Sequence, residues 1–180
     1  GPSKIDCLAL RAASAIEGAR IVHRLDMDTS GVIVLARDAE THRELSRQFQ
    51  DREVEKEYVA VVGGSLKEDS GDIDIPIRKD MDNPPKQCVD YDQGKSSQTA
   101  WSVLQRKPDR TRVLLAPKTG RSHQLRVHLK EIGHPILGDN LYAPPEFLAM
   151  AARLQLHAQK LVVTHPASKE RITFYSACPF

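Results

Sequence analysis

From Glu57 to Ala116, short β-branched runs alternate with clusters of Gly, Pro, Asp and Asn, and no other feature restricts the fold as strongly. Glu57 to Val62, Asp72 to Ile77, Cys88 to Tyr91, Thr99 to Gln105 and Arg112 to Ala116 read as strands. Parallel neighbours need a crossover of about a dozen residues or more, so connections this short favour antiparallel pairing. Leu161 to Thr164 and Ile172 to Tyr175 read as further strands near the end of the chain.

Helical periods and shorter runs surround this block. Residues 6 to 17 read as a helix with Asp6 as N-cap, Leu8 and Leu10 to Ile16 turned inward, and Gly18 as its stop. Ile21 to Arg24 is strand-like, and Gly31 to Arg37 reads as a buried strand. Asp38 then caps a helix over 39 to 51, with Leu45 and Phe49 on one face. Ser122 to Ile132 carries Leu125, Leu129 and Ile132 on one stripe and ends at Gly133. The expected architecture is one α+β domain over residues 1 to 180, built on a bent, mostly antiparallel mixed sheet flanked by helices.

With 180 residues, 40% of them apolar and 28% charged, the chain is large enough for its own core and shows no bias towards disorder. No apolar stretch approaches the roughly 18 residues that span a bilayer, so no membrane role is expected. Cys7, Cys88 and Cys178 form no CxxC pair, which argues against a disulfide framework or a zinc site and for a reducing cytoplasm. A net charge of +2 hides an asymmetry: residues 67 to 92 hold eight acids and four Lys or Arg, whereas 105 to 130 hold eight Lys or Arg and one acid, Asp109. Such a basic segment suits a phosphate backbone, and a solvated basic face would give the same pattern.

Spacing sets aside several chemistries. There is no HExxH, and His123 and His128, five apart, fall on different sides of a helix, so no metal is expected. Ser30 lies outside any GxSxG, and no GxGxxG or Walker pattern offers a seat to a nucleotide cofactor. What remains is HRLDMDTSG, residues 23 to 31, which sets Asp26 between an apolar run and a Gly-ended turn, with Arg24 close by. Asp26 alone would usually be a turn residue bonding nearby amides. In KTGRSHQLRVHL, residues 118 to 129, Arg-rich sequence enters a helix and offers a guanidinium that would keep such a carboxylate ionised.

HRLDMDTSGVIVLA, KEYVAVVGG, KTGRSHQLRVHLKEIGHPILGDNLY and LQLHAQKLVVTHP, in this order, resemble the RluA family of pseudouridine synthases over nearly the whole chain. The resemblance implies the pseudouridine synthase fold with a central active-site cleft, no cofactor and no metal. It makes Asp26 the catalytic aspartate, Arg126 its ion-pair partner and Tyr58 the aromatic that packs on the target uracil. Arg24 would stand near the space vacated by a flipped nucleotide, and Leu156 would wall the uracil pocket. Lys118 and Arg121, with Arg106, Lys107, Arg110, Arg112 and Lys130, are candidates for binding phosphates. The implied partners are structured RNAs, the tRNA anticodon stem-loop and a stem-loop of 23S rRNA, met by a monomer. Members of this family usually carry a further N-terminal segment, here expected to add about forty residues. A non-catalytic RNA-binding domain is the alternative that the basic segment alone allows; a phosphodiester hydrolase would need a second acid or a metal cluster beside Asp26.

Overall fold

The computed structural model describes residues 7 to 180; the expected cap Asp6 lies outside them. The strand rhythm yields one large sheet. Its strands are β4 (Glu55–Gly63), β5 (Ser70–Asp74), β8 (Gln98–Arg106), β9 (Arg110–Pro117), β10 (Leu156–Thr164) and β11 (Arg171–Tyr175), in the order β11-β10-β4-β9-β8-β5. All these neighbours pair antiparallel. A short strand, β2 (Ser30–Gly31), adds to β10 in parallel, and β1 (Arg20–Ile21) with β3 (Leu35–Ala36), and β6 (Ile77–Lys79) with β7 (Gln87–Val89), form two-stranded ribbons. The helices are α1 (Leu8–Ala15), α2 (Ala39–Gln50), α3 (Gln124–Glu131) and the short α4 (Pro145–Leu148).

The core follows the strand alternation. Ala60 and Val62 of β4, Val113 and Leu115 of β9, and Leu156 of β10 pack with Leu125 and Leu129 of α3 and with Ile136, all buried. A second cluster joins Leu45 of α2 to Leu161 and Val163 of β10. Asp38 caps α2 as expected, accepting the Thr41 amide at 2.7 Å. Fully buried Gln48 ties α2 to the sheet, donating to the Thr164 carbonyl at 2.8 Å and accepting its amide at 2.9 Å.

Several expectations change. The apolar side of α1 is not buried: Leu8, Leu10 and Ile16 are 47%, 51% and 44% exposed, because among the described residues α1 rests chiefly on the exposed ribbon strand β1. Gly31 to Arg37 is not one strand, since β2 joins the main sheet while β3 turns away to pair β1. The run Asp72 to Ile77 splits between β5 and β6, broken at Ile75 and Pro76. Helix α4 was not anticipated; at four residues it is too short to leave a period, and its only mark is Pro145 at its first turn.

Gly31 decides where the Asp26 loop lands. It pairs with Ala158 at a φ of +125°, and a Cβ there would sit 2.2 Å from the Ala158 carbonyl oxygen and 2.5 Å from its nitrogen. Backbone cannot yield as a side chain does. Gly31→Ala is therefore expected to cost about 3 kcal/mol, lowering the thermal midpoint by roughly 6–12 °C and reducing turnover with it. A wild-type midpoint in a melting experiment would contradict this.

Candidate active site

The loop bearing Asp26 is held at both ends. The His23 ring stacks on Phe49 with centroids 4.5 Å apart, and its Nε2 accepts the Val34 amide at 3.1 Å. Burial, helped by the positive charge of Lys56, pushes the His23 pKa down to about 4, so the ring stays neutral and keeps this acceptor. Beyond the turn, the Thr29 amide donates to the Asp26 carbonyl at 3.0 Å, and the Ser30 hydroxyl meets His157 Nδ1 at 2.9 Å while accepting from Arg153 at 2.6 Å. Asp26 thus projects from a loop pinned to α2 on one side and to β10 on the other.

The facing wall is the turn after β9. Buried Gln124 fixes it: its Oε1 accepts the Thr119 hydroxyl at 2.7 Å and the Arg121 amide at 3.0 Å, and its Nε2 donates to the Gln98 carbonyl and the Thr99 hydroxyl, both at 3.0 Å. This network orders Lys118 to Arg121 through buried hydrogen bonds, each of whose partners is satisfied.

Between the walls lies a cavity of about 90 Å³ that Asp26, Tyr58, Leu156, Arg24 and Arg121 all line. It opens beside a larger pocket of about 460 Å³, where Lys118 joins Arg24, Tyr58 and Arg121. The five residues that the family resemblance assigns, with Lys118 and Arg121, make seven, and six of these meet in one cleft. Tyr58 keeps its proton: burial and the nearby Asp26 charge push its hydroxyl up to about 12, so it offers a ring face and a neutral O–H rather than a base.

The seventh residue, Arg126, corrects the expected ion pair. It does not line the cavity and is 2% exposed. Its guanidinium makes a two-toothed bond to Asp139, Nε to Oδ2 at 2.8 Å and Nη2 to Oδ1 at 2.5 Å, and lies 5.1 Å over the Tyr142 ring. Among the described residues no salt bridge joins Arg126 to Asp26. The reason is geometric: α3 is buried on every side from Gln124 to Leu129, so Arg126 points into protein and takes the carboxylate that the Gly138–Asp139 turn supplies. Asp26 still acts on it at longer range. Burial works to lower the Arg126 pKa, but the Asp139 bonds and the charges of Asp139 and Asp26 outweigh it and raise the net value.

Sequence reading missed Asp139, Tyr142, His123, Lys56 and Thr29. His123, in the left-handed region at φ 54°, bonds the Tyr142 hydroxyl at 2.7 Å. Burial pulls the His123 pKa down, and Asp26 and Asp139 only partly offset this. The signal for Lys56 was available: it stands two residues before Tyr58 on one strand and so shares its face. The signal for Asp139 was weaker, a lone acid after Gly138 in an apolar run. The basic segment is also less unified than expected. Gly63 pairs with Arg110 at the far end of β4, about 17 Å from Tyr58 at roughly 3.4 Å per residue. There Arg106 bonds the Leu66 and Glu68 carbonyls, Arg110 pairs with Asp109, and Arg112 bonds the Phe180 carbonyl. Lys118 and Arg121, not these, flank the cleft.

A family profile described as RNA pseudouridylate synthase matches residues 2–131, and the chain belongs to that family of RNA-modifying isomerases. It is 55% identical to the dual-specificity RNA pseudouridine synthase RluA of Yersinia pestis over 92% of this chain and 81% of that protein. Identity to the same-named enzyme of Escherichia coli K12 is 53%, over 90% and 74%. These matches bear out the resemblance drawn from the HRLD, KEYVA and LQLHA segments. Among solved structures, human RNA pseudouridylate synthase domain containing 1 superposes with a TM-score of 0.83 at 31% identity, covering 94% of this chain and 73% of that one. The corresponding human domain containing 4 gives 0.77 at 28%, covering 96% and 77%.

Proposed function

We propose that this pseudouridine synthase isomerises uridines held in stem-loops, that of the tRNA anticodon and one of 23S rRNA, with Asp26 as its catalytic group. The observation that carries the reading is the shared cavity: one carboxylate with an aromatic and an aliphatic wall, Tyr58 and Leu156, and arginines at the rim. The relatives' description as dual-specific supports more than one RNA target.

Converting uridine to its C5-linked isomer requires the C1′–N1 bond to break, the base to turn and C5 to bond C1′. An ionised Asp26 suits either route, attack on C1′ to give a ribosyl ester or removal of the C2′ proton to give a glycal. Arg126 lies behind the wall as a second charge whose field reaches Asp26. Tyr58 packs against the base, and Arg24, Lys118 and Arg121 bind phosphates around the mouth. Because the target is stacked, it must be flipped out at a cost of a few kcal/mol, which is smaller in a loop than in a duplex. The three free cysteines suit a reducing cytoplasm, and the reading takes the protein to work as a monomer.

The test uses stem-loops carrying tritium at C5 of one uridine, since bonding C5 to C1′ expels that hydrogen. Release from the anticodon and 23S loops, but not from the same strands held in duplex, is the expected result. Release from neither loop by folded protein would end the reading.

A further inference from the structure

Among the described residues, Lys56 is a cation without a counter-ion in the middle of the cleft. It projects from β4 on the face that carries Tyr58 and lines both the inner cavity and the outer pocket. Its one hydrogen bond is a long one, 3.3 Å from Nζ to the Thr119 carbonyl. Among the described residues no carboxylate lies within salt-bridge distance of it. Gly120 lies alongside the ammonium, where an added Cβ would make an ordinary contact with Nζ at 3.6 Å. In the same cavity the Thr29 hydroxyl is buried with no hydrogen-bond partner. Burial, and then the charge of Arg52, lower the Lys56 pKa, so this ammonium is held at a cost that no resident anion offsets. A charge kept so is one prepared for an anion that arrives later.

The reaction makes such an anion. By either route the electron pair of the C1′–N1 bond leaves with the base, giving a uracil anion whose charge spreads over N1, O2 and O4, while Asp26 deals with the sugar. We propose that Lys56 is a further catalytic residue, whose ammonium binds a carbonyl oxygen of the departing uracil anion and stabilises it as the glycosidic bond breaks. No proton moves in this step; Lys56 stays protonated. When C5 rebonds to C1′, the charge on the base is discharged, the C5 hydrogen leaves as a proton and N1 takes one up, so the sum is an isomerisation with no co-reactant. The donor acts on charge that develops in the transition state and is absent from neutral uridine, which is where a fixed dipole or cation accelerates a step most. This assignment rests on the reading of Asp26 given above.

The experiment compares wild type, Lys56→Met and Asp26→Asn in single-turnover cleavage of C1′–N1, on stem-loops carrying either uridine or 5-fluorouridine. Fluorine steadies the leaving anion, so a residue that stabilises it should matter less. Lys56→Met is expected to slow uridine cleavage by about 100-fold, to slow 5-fluorouridine cleavage by a clearly smaller factor, and to leave the stem-loop Kd unchanged within about threefold. Equal losses on the two substrates, a loss confined to Kd, or no loss would each overturn the proposal. If Lys56→Met does not fold, Lys56→Gln carries the same comparison with a smaller expected loss on uridine. Wild-type cleavage by Asp26→Asn would mean that the reading of the site itself fails; an inert Asp26→Asn beside a fully active Lys56→Met would sink the lysine alone.

Discussion

Asp26→Asn should lower the single-turnover rate of pseudouridine formation by roughly 10³-fold or more while the stem-loop Kd stays within about twofold. That scale belongs to the loss of a nucleophile or general base, not to the loss of a contact. Asparagine keeps the shape and the loop: the turn bond to Thr29 uses the Asp26 carbonyl, and the loop's remaining anchors run through His23, Ser30 and Gly31. What it lacks is an oxygen able to attack C1′ or take a C2′ proton. Binding is expected to be preserved because the proposed phosphate ligands, Lys118 and Arg121, stand on the opposite wall, fixed by Gln124. A variant that binds and turns over like the wild type would remove the aspartate from the mechanism.

Asp139→Ala is expected to be the most damaging single change to stability. The carboxylate is 1% exposed, and besides Arg126 it accepts the Leu141 amide at 2.9 Å and the Tyr142 amide at 3.1 Å. Its removal strands a guanidinium in the protein interior, which typically costs about 3–5 kcal/mol. In a chain of this length the thermal midpoint should fall by roughly 6–20 °C. Replacing both partners with apolar side chains, Arg126→Met with Asp139→Leu, should recover much of that stability, since the cost lies in the unpaired charge. It should not recover activity, because the second charge near Asp26 is gone. Thermal unfolding of the single and double variants measures the first, and the tritium assay the second; a double variant as unstable as Asp139→Ala would show that the pair is not the source of the cost.

Much of this was legible in the chain. Period-two runs and turn residues marked every strand of the main sheet except β2, because the side-chain alternation that buries Val62, Val113 and Leu115 is local information. Asp26, Tyr58 and Leu156 stood out through their motifs, and the fold gathers them. What failed was partnership. The stripe of Leu125, Leu129 and Ile132 marks one face of α3, but the helix is buried on every side from Gln124 to Leu129, so the stripe does not tell which way Arg126 points, and its acid lies 13 residues on, in a turn that only tertiary structure brings back. The exposed side of α1 fails for the converse reason, since an apolar period shows that a helix has a greasy face without saying what covers it. Lys56 shares the face of Tyr58, but a lysine in a strand usually reaches solvent, and its place beside Thr119 and Gly120 is set by the fold and not by its neighbours in sequence.

The parallel seam between Ser30–Gly31 and His157–Ala158 ties the loop bearing Asp26 to the strand that also carries Leu156. Acid and pocket wall are thereby parts of one stiff body, with little freedom to reshape around a visitor. Accommodation then falls to the nucleic acid: the loops modified fastest will be those that most readily let go of a base, and pliancy, more than lettering, will rank them.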